Sequence, residues 1–176
     1  MMEYYLMKQY AVNPVSPLLV EPGPYQYRLS REEFDSLPDC SIGYYQYSLD
    51  TELPAILIHP TFMVSQDIKK VIGMYDETVQ FKALTILPND FDKVNEASMT
   101  YAIPYLRRYD CLHEDAVVLP DGTIKKLVID HKKIPNIDIF QIKNAVHNRV
   151  LVSLRMAESI SRRKAYGVMF ERVEVR

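Results

Sequence analysis

The densest group of potentially reactive side chains in this sequence is Asp110, Cys111, His113, Glu114 and Asp115. In an extended chain Cys111 and His113 share one face, which is the least that a thiolate-imidazole pair needs, and a neighbouring carboxylate would orient the imidazole. Catalytic cysteine and histidine usually come from distant parts of a sequence, so their adjacency weighs against this interpretation. The sequence instead favours the end of a strand that leads into a polar turn.

Metal and nucleotide chemistry have little support in the sequence. The best trio of metal ligands is His113, Glu114 and His131, but the four histidines have no mutual spacing that fits a helix face or a zinc knuckle. The five glycines form neither GxGxxG nor GxxxxGK[ST], which excludes the usual phosphate-binding loops. We therefore expect no metal, no cofactor and no catalytic residue.

A second group of residues suggests recognition rather than catalysis. Tyr44, Tyr45 and Tyr47 precede Asp50 and Glu52 within nine residues of sequence. Tyrosine is enriched in protein interfaces, although it is also a good strand residue. Alternation along a strand would send Tyr45 and Tyr47 to one face and Tyr44 to the other, so one face would belong to the core. These five residues form the predicted partner-binding site.

Two serines are predicted to begin the longer helices that position these groups. Ser65 precedes apolar residues at helical spacing, with Gly73 as the helix end, and Ser153 precedes a helix over 154–164. Each serine follows a strand, and a strand follows each helix, so the chain contains a faint internal echo. The other predicted elements are a helix over 31–37 and strands over 2–8, 43–48, 55–58, 79–87, 100–112 with a bend at Pro104, 137–142, 148–152 and 167–175, with a hairpin turning at Pro120-Asp121-Gly122. An extended connection is predicted through the prolines between residues 14 and 24.

Composition is typical of one globular domain inside a reducing compartment. The chain has 176 residues, is 48% hydrophobic and carries a formal charge of -2, which argues against a dedicated nucleic-acid binder. Cys40 and Cys111 form no CxxC pair, and no apolar run is long enough to cross a membrane. We expect a cytoplasmic protein. Its charge is uneven, because residues 1–60 hold three basic and eight acidic groups whereas residues 121–176 hold twelve and six.

The stretch from about residue 59 to 175 resembles a family of bacterial polymorphic-toxin immunity proteins, number 11 in that series and formerly a domain of unknown function. The residues that carry the resemblance are Val64-Ser65, the tyrosine-led strand from Tyr101 to Asp110-Cys111-Leu112, Ile139-Phe140, Val152-Ser153 and the segment from Tyr166-Gly167 to Val173. The resemblance implies a non-enzymatic protein that neutralises a cognate toxin by binding it in the producing cell. The opening third of the chain lies outside it.

These observations together predict an α+β domain with a mostly antiparallel, twisted sheet, two longer helices that start near Ser65 and Ser153, and an irregular N-terminal section. Residues 1–58 would form an acidic, tyrosine-rich section, and residues 59–176 the family-like core of the same domain. The predicted function is toxin neutralisation by direct protein-protein binding. Two alternatives stay open: a small enzyme with a Cys/His or metal-assisted site near residues 110–115, and a structural or interaction protein without a toxin partner.

Overall fold

The computed structural model describes residues 2–10, 29–146 and 149–176, together with the backbone of 19–21. Its helices are α1 (Arg31–Ser36), α2 (Gln66–Tyr75), α3 (Val94–Ala97) and α4 (Leu154–Arg162). Its strands are β1 (Tyr4–Gln9), β2 (Leu19–Glu21), β3 (Cys40–Tyr45), β4 (Ile56–Leu57), β5 (Met63–Ser65), β6 (Gln80–Pro88), β7 (Met99–Tyr105), β8 (Arg108–Tyr109), β9 (Val117–Val118), β10 (Ile124–Lys126), β11 (Val128–Ile129), β12 (Ile139–Ile142), β13 (Val150–Ser153), β14 (Val168–Arg172) and β15 (Glu174–Val175). The predicted α+β class is confirmed.

The described strands form two larger sheets rather than the single sheet that we expected. Sheet I has the order β14-β1-β13-β12-β8, and sheet II has the order β2-β3-β6-β7-β5-β4. Both are mixed, because β12 pairs in parallel with β8, and β3 pairs in parallel with β6. The physical reason for two sheets is that each serine-capped helix returns the chain to the sheet it has just left, so each strand-helix-strand unit completes a sheet of its own.

The largest hydrophobic cluster joins one face of each sheet to the two longer helices. It includes Val152 from β13, Val64 from β5, Ile72 from α2 and Ile160 from α4. The two helices also pack against each other. Because strand side chains alternate, the neighbouring residues Leu151 and Met63 point to the opposite faces, where they join two further clusters.

Each outer sheet face has its own cover. Behind sheet I, Cys111, Ile124 and Ile134 of the segment between β8 and β12 bury Phe140 and Leu151. Behind sheet II, Phe34 of α1 and Leu29, which precedes that helix, cover Tyr101 and its neighbours. Strands β12 and β13 of sheet I and β5 of sheet II are consequently buried along their whole length, as expected of strands that are covered on both faces.

The internal echo in the sequence is a repeat of topology in the structure. Unit 1 comprises β3, β4, β5, α2, β6 and β7, and unit 2 comprises β11, β12, β13, α4, β14 with β15, and β1. In unit 1, β7 lies between β5 and β6 and is antiparallel to both. In unit 2, β1 takes that place between β13 and β14. The outer strands also correspond, since β3 runs parallel to β6 and β11 runs parallel to β15.

The repeat extends to individual hydrogen bonds. The Tyr101 hydroxyl donates to the Pro54 carbonyl at 2.6 Å, and the Tyr4 hydroxyl donates to the Ile137 carbonyl at 3.0 Å. Both tyrosines pair in register with a cap serine, Tyr101 with Ser65 and Tyr4 with Ser153. Unit 2 thus obtains its central strand from the opposite end of the sequence.

Several predicted boundaries shift in the structure. Helix α2 continues through Gly73 to Tyr75, because Gly73 keeps a helical backbone and does not end the helix. Pro104 lies within β7, and the predicted long strand is interrupted before β8. The predicted boundary at residue 58 cuts across both sheets, since β1 lies inside sheet I and β4 belongs to sheet II. The predicted connection through the prolines lies mostly outside the described residues.

None of the helices that the structure describes is long and apolar enough to cross a membrane.

Candidate partner-binding surface

Tyr45 belongs to the core and is not available to a partner, which corrects one of the five predicted site residues. Its side chain is 2% exposed, and its hydroxyl donates to the Ala97 carbonyl at 2.8 Å. Burial, followed by the neighbouring Tyr47, raises the pKa of Tyr45. Strand alternation produces this result, because Ser41, Gly43 and Tyr45 are buried on one face of β3 while Cys40, Ile42 and Tyr44 are exposed on the other.

Tyr44 lies on an open face of sheet II. Tyr44 is 37% exposed and Ile42 is 45% exposed, although both belong to a regular strand within the sheet. On β6 their register partners are Leu87 and Thr85, which are half-buried. This face of β3 and β6 therefore presents apolar side chains to solvent where an antiparallel or mixed sheet more often shows polar ones.

The carboxyl ends of β3 and β6 carry the two most exposed large apolar side chains of the described chain. Leu49, in the loop after β3, is 89% exposed, and Phe91, in the loop after β6, is 82% exposed. The loops are joined directly, because the Tyr47 amide donates to Asn89 Oδ1 at 3.0 Å. Because β3 and β6 run parallel, the loops that follow them lie at the same end of the two strands.

Carboxylates surround these apolar side chains. Asp50 lies next to Leu49, and Asp90 and Asp92 flank Phe91; all three are exposed. Asp90 also accepts a hydrogen bond from the Asp92 amide at 3.1 Å, which fixes the short turn that carries Phe91. We call the set formed by Ile42, Tyr44, Tyr47, Leu49, Asp50, Leu87, Asp90, Phe91 and Asp92 the β3–β6 surface.

Glu52 has a local structural partner. Its carboxylate accepts a hydrogen bond from the Tyr166 hydroxyl, and this bond, ahead of burial, raises the pKa of Tyr166. The contact links the acidic loop after β3 to the turn that precedes β14. Glu52 is therefore positioned at one border of the β3–β6 surface and is not counted in it.

Burial separates the Cys111 thiol from its polar neighbours, because Asp110, Glu114 and Asp115 are exposed. Cys111 is fully buried, and burial raises the pKa of its thiol to about 11, so the thiol stays protonated at neutral pH. His113 Nδ1 accepts a hydrogen bond from the Asp115 amide at 3.2 Å. This arrangement is that of a turn stabilised by local hydrogen bonds.

The trio proposed for metal binding is likewise not assembled. His131 Nδ1 lies 2.6 Å from the Arg176 carbonyl oxygen, while His113 is engaged with Asp115. Among the residues that the structure describes, no three His, Cys, Asp or Glu side chains form a group that could hold a metal ion. His147 falls outside the described residues.

Sequence reasoning missed Leu49, Leu87, Asp90, Phe91 and Asp92. The signal for the last three was present, because an aromatic residue between two aspartates in Asn89-Asp90-Phe91-Asp92 is an unusual place for a core side chain. What the sequence did not reveal was the parallel pairing that brings this loop beside the one after β3.

No protein-family model matches the chain, and no curated protein matches it in sequence.

Proposed function

We propose that this protein is an immunity protein that neutralises a cognate bacterial toxin in the cytoplasm of the producing cell, by direct binding through the β3–β6 surface. It acts without catalysis of its own. The proposal combines the sequence resemblance to the immunity-protein family with a surface whose composition suits protein recognition.

The observation that carries the proposal is the exposure of Leu49 and Phe91 at one edge of sheet II, next to the open face that bears Ile42 and Tyr44. Interface energies are dominated by a few aromatic and aliphatic anchors that become desolvated on binding. Large apolar side chains that stay exposed in a free monomer leave apolar surface in contact with water, which is unfavourable. A partner that covers them removes this surface from water.

The charge of the surface indicates a basic partner. Asp50, Asp90 and Asp92 are exposed beside the apolar anchors. A basic toxin domain would be steered toward these carboxylates during encounter, and the apolar side chains would then slow dissociation. Many toxin domains that act on nucleic acids are basic.

The experiment is a kinetic one with the toxin domain encoded next to this chain in its genome. Phe91→Ala should speed dissociation by an amount equivalent to about 1–4 kcal/mol, because the anchor is lost while the local fold is kept. Asp92→Lys should instead slow association and flatten its salt dependence. When each variant is co-expressed with the toxin, it should protect growth less well than the natural chain does.

Matched controls separate the surface from general effects of charge and folding. Glu77→Lys makes the same charge change at an exposed position after α2, and Met74→Ala removes an exposed apolar side chain from α2. Both controls should bind as the natural chain does. If folded Phe91→Ala and Asp92→Lys variants bind with unchanged rates, the interface lies elsewhere; if the natural chain does not bind the toxin, the proposed function itself is wrong.

A further inference from the structure

Strand β14 leaves one backbone edge open from Val168 onward, beyond Tyr166, whose carbonyl accepts a hydrogen bond from the Ala55 amide at 2.7 Å. The strand lies at the end of sheet I, and its five residues make it the longest of the strands at the described edges of the two larger sheets. The competing edge strands β4 and β8 have two residues each, and β2 has three. Long, regular edges are the positions at which sheets accept another strand.

The hydrogen-bond pattern shows which groups face outward. The Tyr10 amide donates to the Gly167 carbonyl, and the Val173 amide donates to the Tyr4 carbonyl, so odd-numbered residues of this stretch face β1. The N–H and C=O groups of Val168, Phe170 and Arg172 therefore point away from the sheet. Within the described residues, no backbone hydrogen bond engages them.

The usual protections of an edge strand are weak here. The sequence of β14 has neither proline nor glycine, and its pairing with β1 contains no bulge. Its two charged side chains are engaged within the chain, Glu171 with Lys8 and Arg172 with Glu3. Met169 and Tyr166 beside the edge expose apolar surface.

We propose that β14 pairs with β14 of a second copy of this chain to form a weak, two-fold symmetric dimer. An antiparallel pairing centred on Phe170 places Val168 of each copy opposite Arg172 of the other. In that register the N–H and C=O groups of Val168, Phe170 and Arg172 all find partners, which gives six backbone hydrogen bonds between the copies. Both copies use the same strand, as a two-fold contact requires.

The size of the contact sets its strength. A five-residue strand pair buries much less than the roughly 1,200–2,000 Å² of a stable interface, so the dimer should populate only at high protein concentration. The proposal is independent of the toxin, because β14 does not contribute to the β3–β6 surface.

The test is sedimentation velocity of the natural chain, Arg172→Pro and Arg172→Ala between about 10 µM and 1 mM. Proline at this position removes only an outward N–H, and the preceding Glu171 is already extended. Arg172→Ala is the matched control, because it loses the same ion pair with Glu3 but keeps the N–H. The natural chain and Arg172→Ala should approach twice 20.5 kDa with increasing concentration, while Arg172→Pro should dimerise at least about tenfold more weakly.

Hydrogen exchange provides a second measurement that needs no variant. The amides of Val168, Phe170 and Arg172 should exchange quickly in dilute solution and slowly in concentrated solution. Concentration-independent protection of these amides would mean that the chain covers its own edge, and it would contradict the proposal. A natural chain that stays monomeric at about 1 mM, or equal dimerisation of the proline and alanine variants, would do the same.

Discussion

Two buried tyrosine hydroxyls anchor the loops that lead into the two units. Tyr101 and Tyr4 donate to the Pro54 and Ile137 carbonyls, and burial, as the leading cause, raises the pKa of both phenols. Replacing either with phenylalanine leaves a carbonyl without its donor and should cost about 1–3 kcal/mol of the free energy of unfolding. Urea denaturation measures this loss. Tyr5→Phe, which removes only a long hydrogen bond of 3.4 Å to Glu3, is the control and should change little.

Asp138 is a buried acid whose ionised form stabilises the folded state. Its burial opposes ionisation, but hydrogen bonds from the Arg155 guanidinium at 2.5 and 2.6 Å and from the Ser153 hydroxyl at 2.5 Å outweigh it and lower the pKa of Asp138. The ionised carboxylate therefore contributes stability that is fully present above the unfolded pKa of about 3.9 and is lost as the pH falls through the lower folded value.

Asp138→Asn tests this dependence. At pH 7 the variant should lose roughly 1–3 kcal/mol of the free energy of unfolding, because charged hydrogen bonds become neutral ones. The difference from the natural chain should shrink as the pH falls below about 4. Denaturant unfolding between pH 2 and 7 provides the measurement, and a difference that stays constant over this range would contradict the assignment.

At the scale of elements, the two serine caps are equivalent in position but not in partners. Ser65 accepts from the Ile68 amide at 3.5 Å, whereas Ser153 accepts from the Met156 amide at 3.3 Å and also donates to Asp138. Ser65→Ala should cost about 0.5–2 kcal/mol of unfolding free energy. Ser153→Ala should cost more, since the buried carboxylate loses a donor as well. Equal losses in thermal or urea unfolding would argue against this extra role.

Helix α2 contains a glycine that packing does not require. Gly73 has a helical backbone, is exposed, and has no atom within 4 Å of where a Cβ would lie. Gly73→Ala should therefore raise the free energy of unfolding by about 0.5–1 kcal/mol through lower chain entropy in the unfolded state. Gly167→Ala is the contrasting control and should destabilise, because its φ is +74° and a Cβ would lie 2.4 Å from Pro54.

Local signals predicted the elements better than their partners. The helix predicted over 31–37, the caps at Ser65 and Ser153, and the turn at Pro120-Asp121-Gly122 each depend on neighbouring residues, and the structure has each of them. The burial of Tyr45 and the exposure of Phe91 depend instead on which strands pair and which faces are covered. Those contacts join residues far apart in sequence, so composition within a short segment does not determine them.

At the scale of the whole molecule, the repeat suggests that β1 can be moved along the sequence without changing how the sheets pack. Met2 and Val175 line the same surface pocket, so the two ends of the described chain lie near each other. A circular permutant that joins Arg176 to Met2 through a short glycine linker, and opens between Asp121 and Gly122, would place β1 after β15, as β7 follows β6. It should unfold cooperatively, with a stability within about 2 kcal/mol of the natural chain.

Urea unfolding followed by circular dichroism and fluorescence tests the permutant. Coincident transitions for the two probes are expected. A permutant opened instead within α4, between Ala157 and Glu158, interrupts the central cluster and should not fold.

The origin of β1 in the opening residues also has a consequence for synthesis on the ribosome. Unit 1 contains all its own strands and can assemble soon after β7 emerges from the exit tunnel. Strand β1 is made before the other described strands, yet both of its neighbours, β13 and β14, are made only after β12. At roughly 5–20 residues per second, an apolar segment would wait on the order of ten seconds for its sheet. Nascent chains arrested before β13 should therefore leave β1 accessible to holding chaperones, whereas chains arrested after β15 should not.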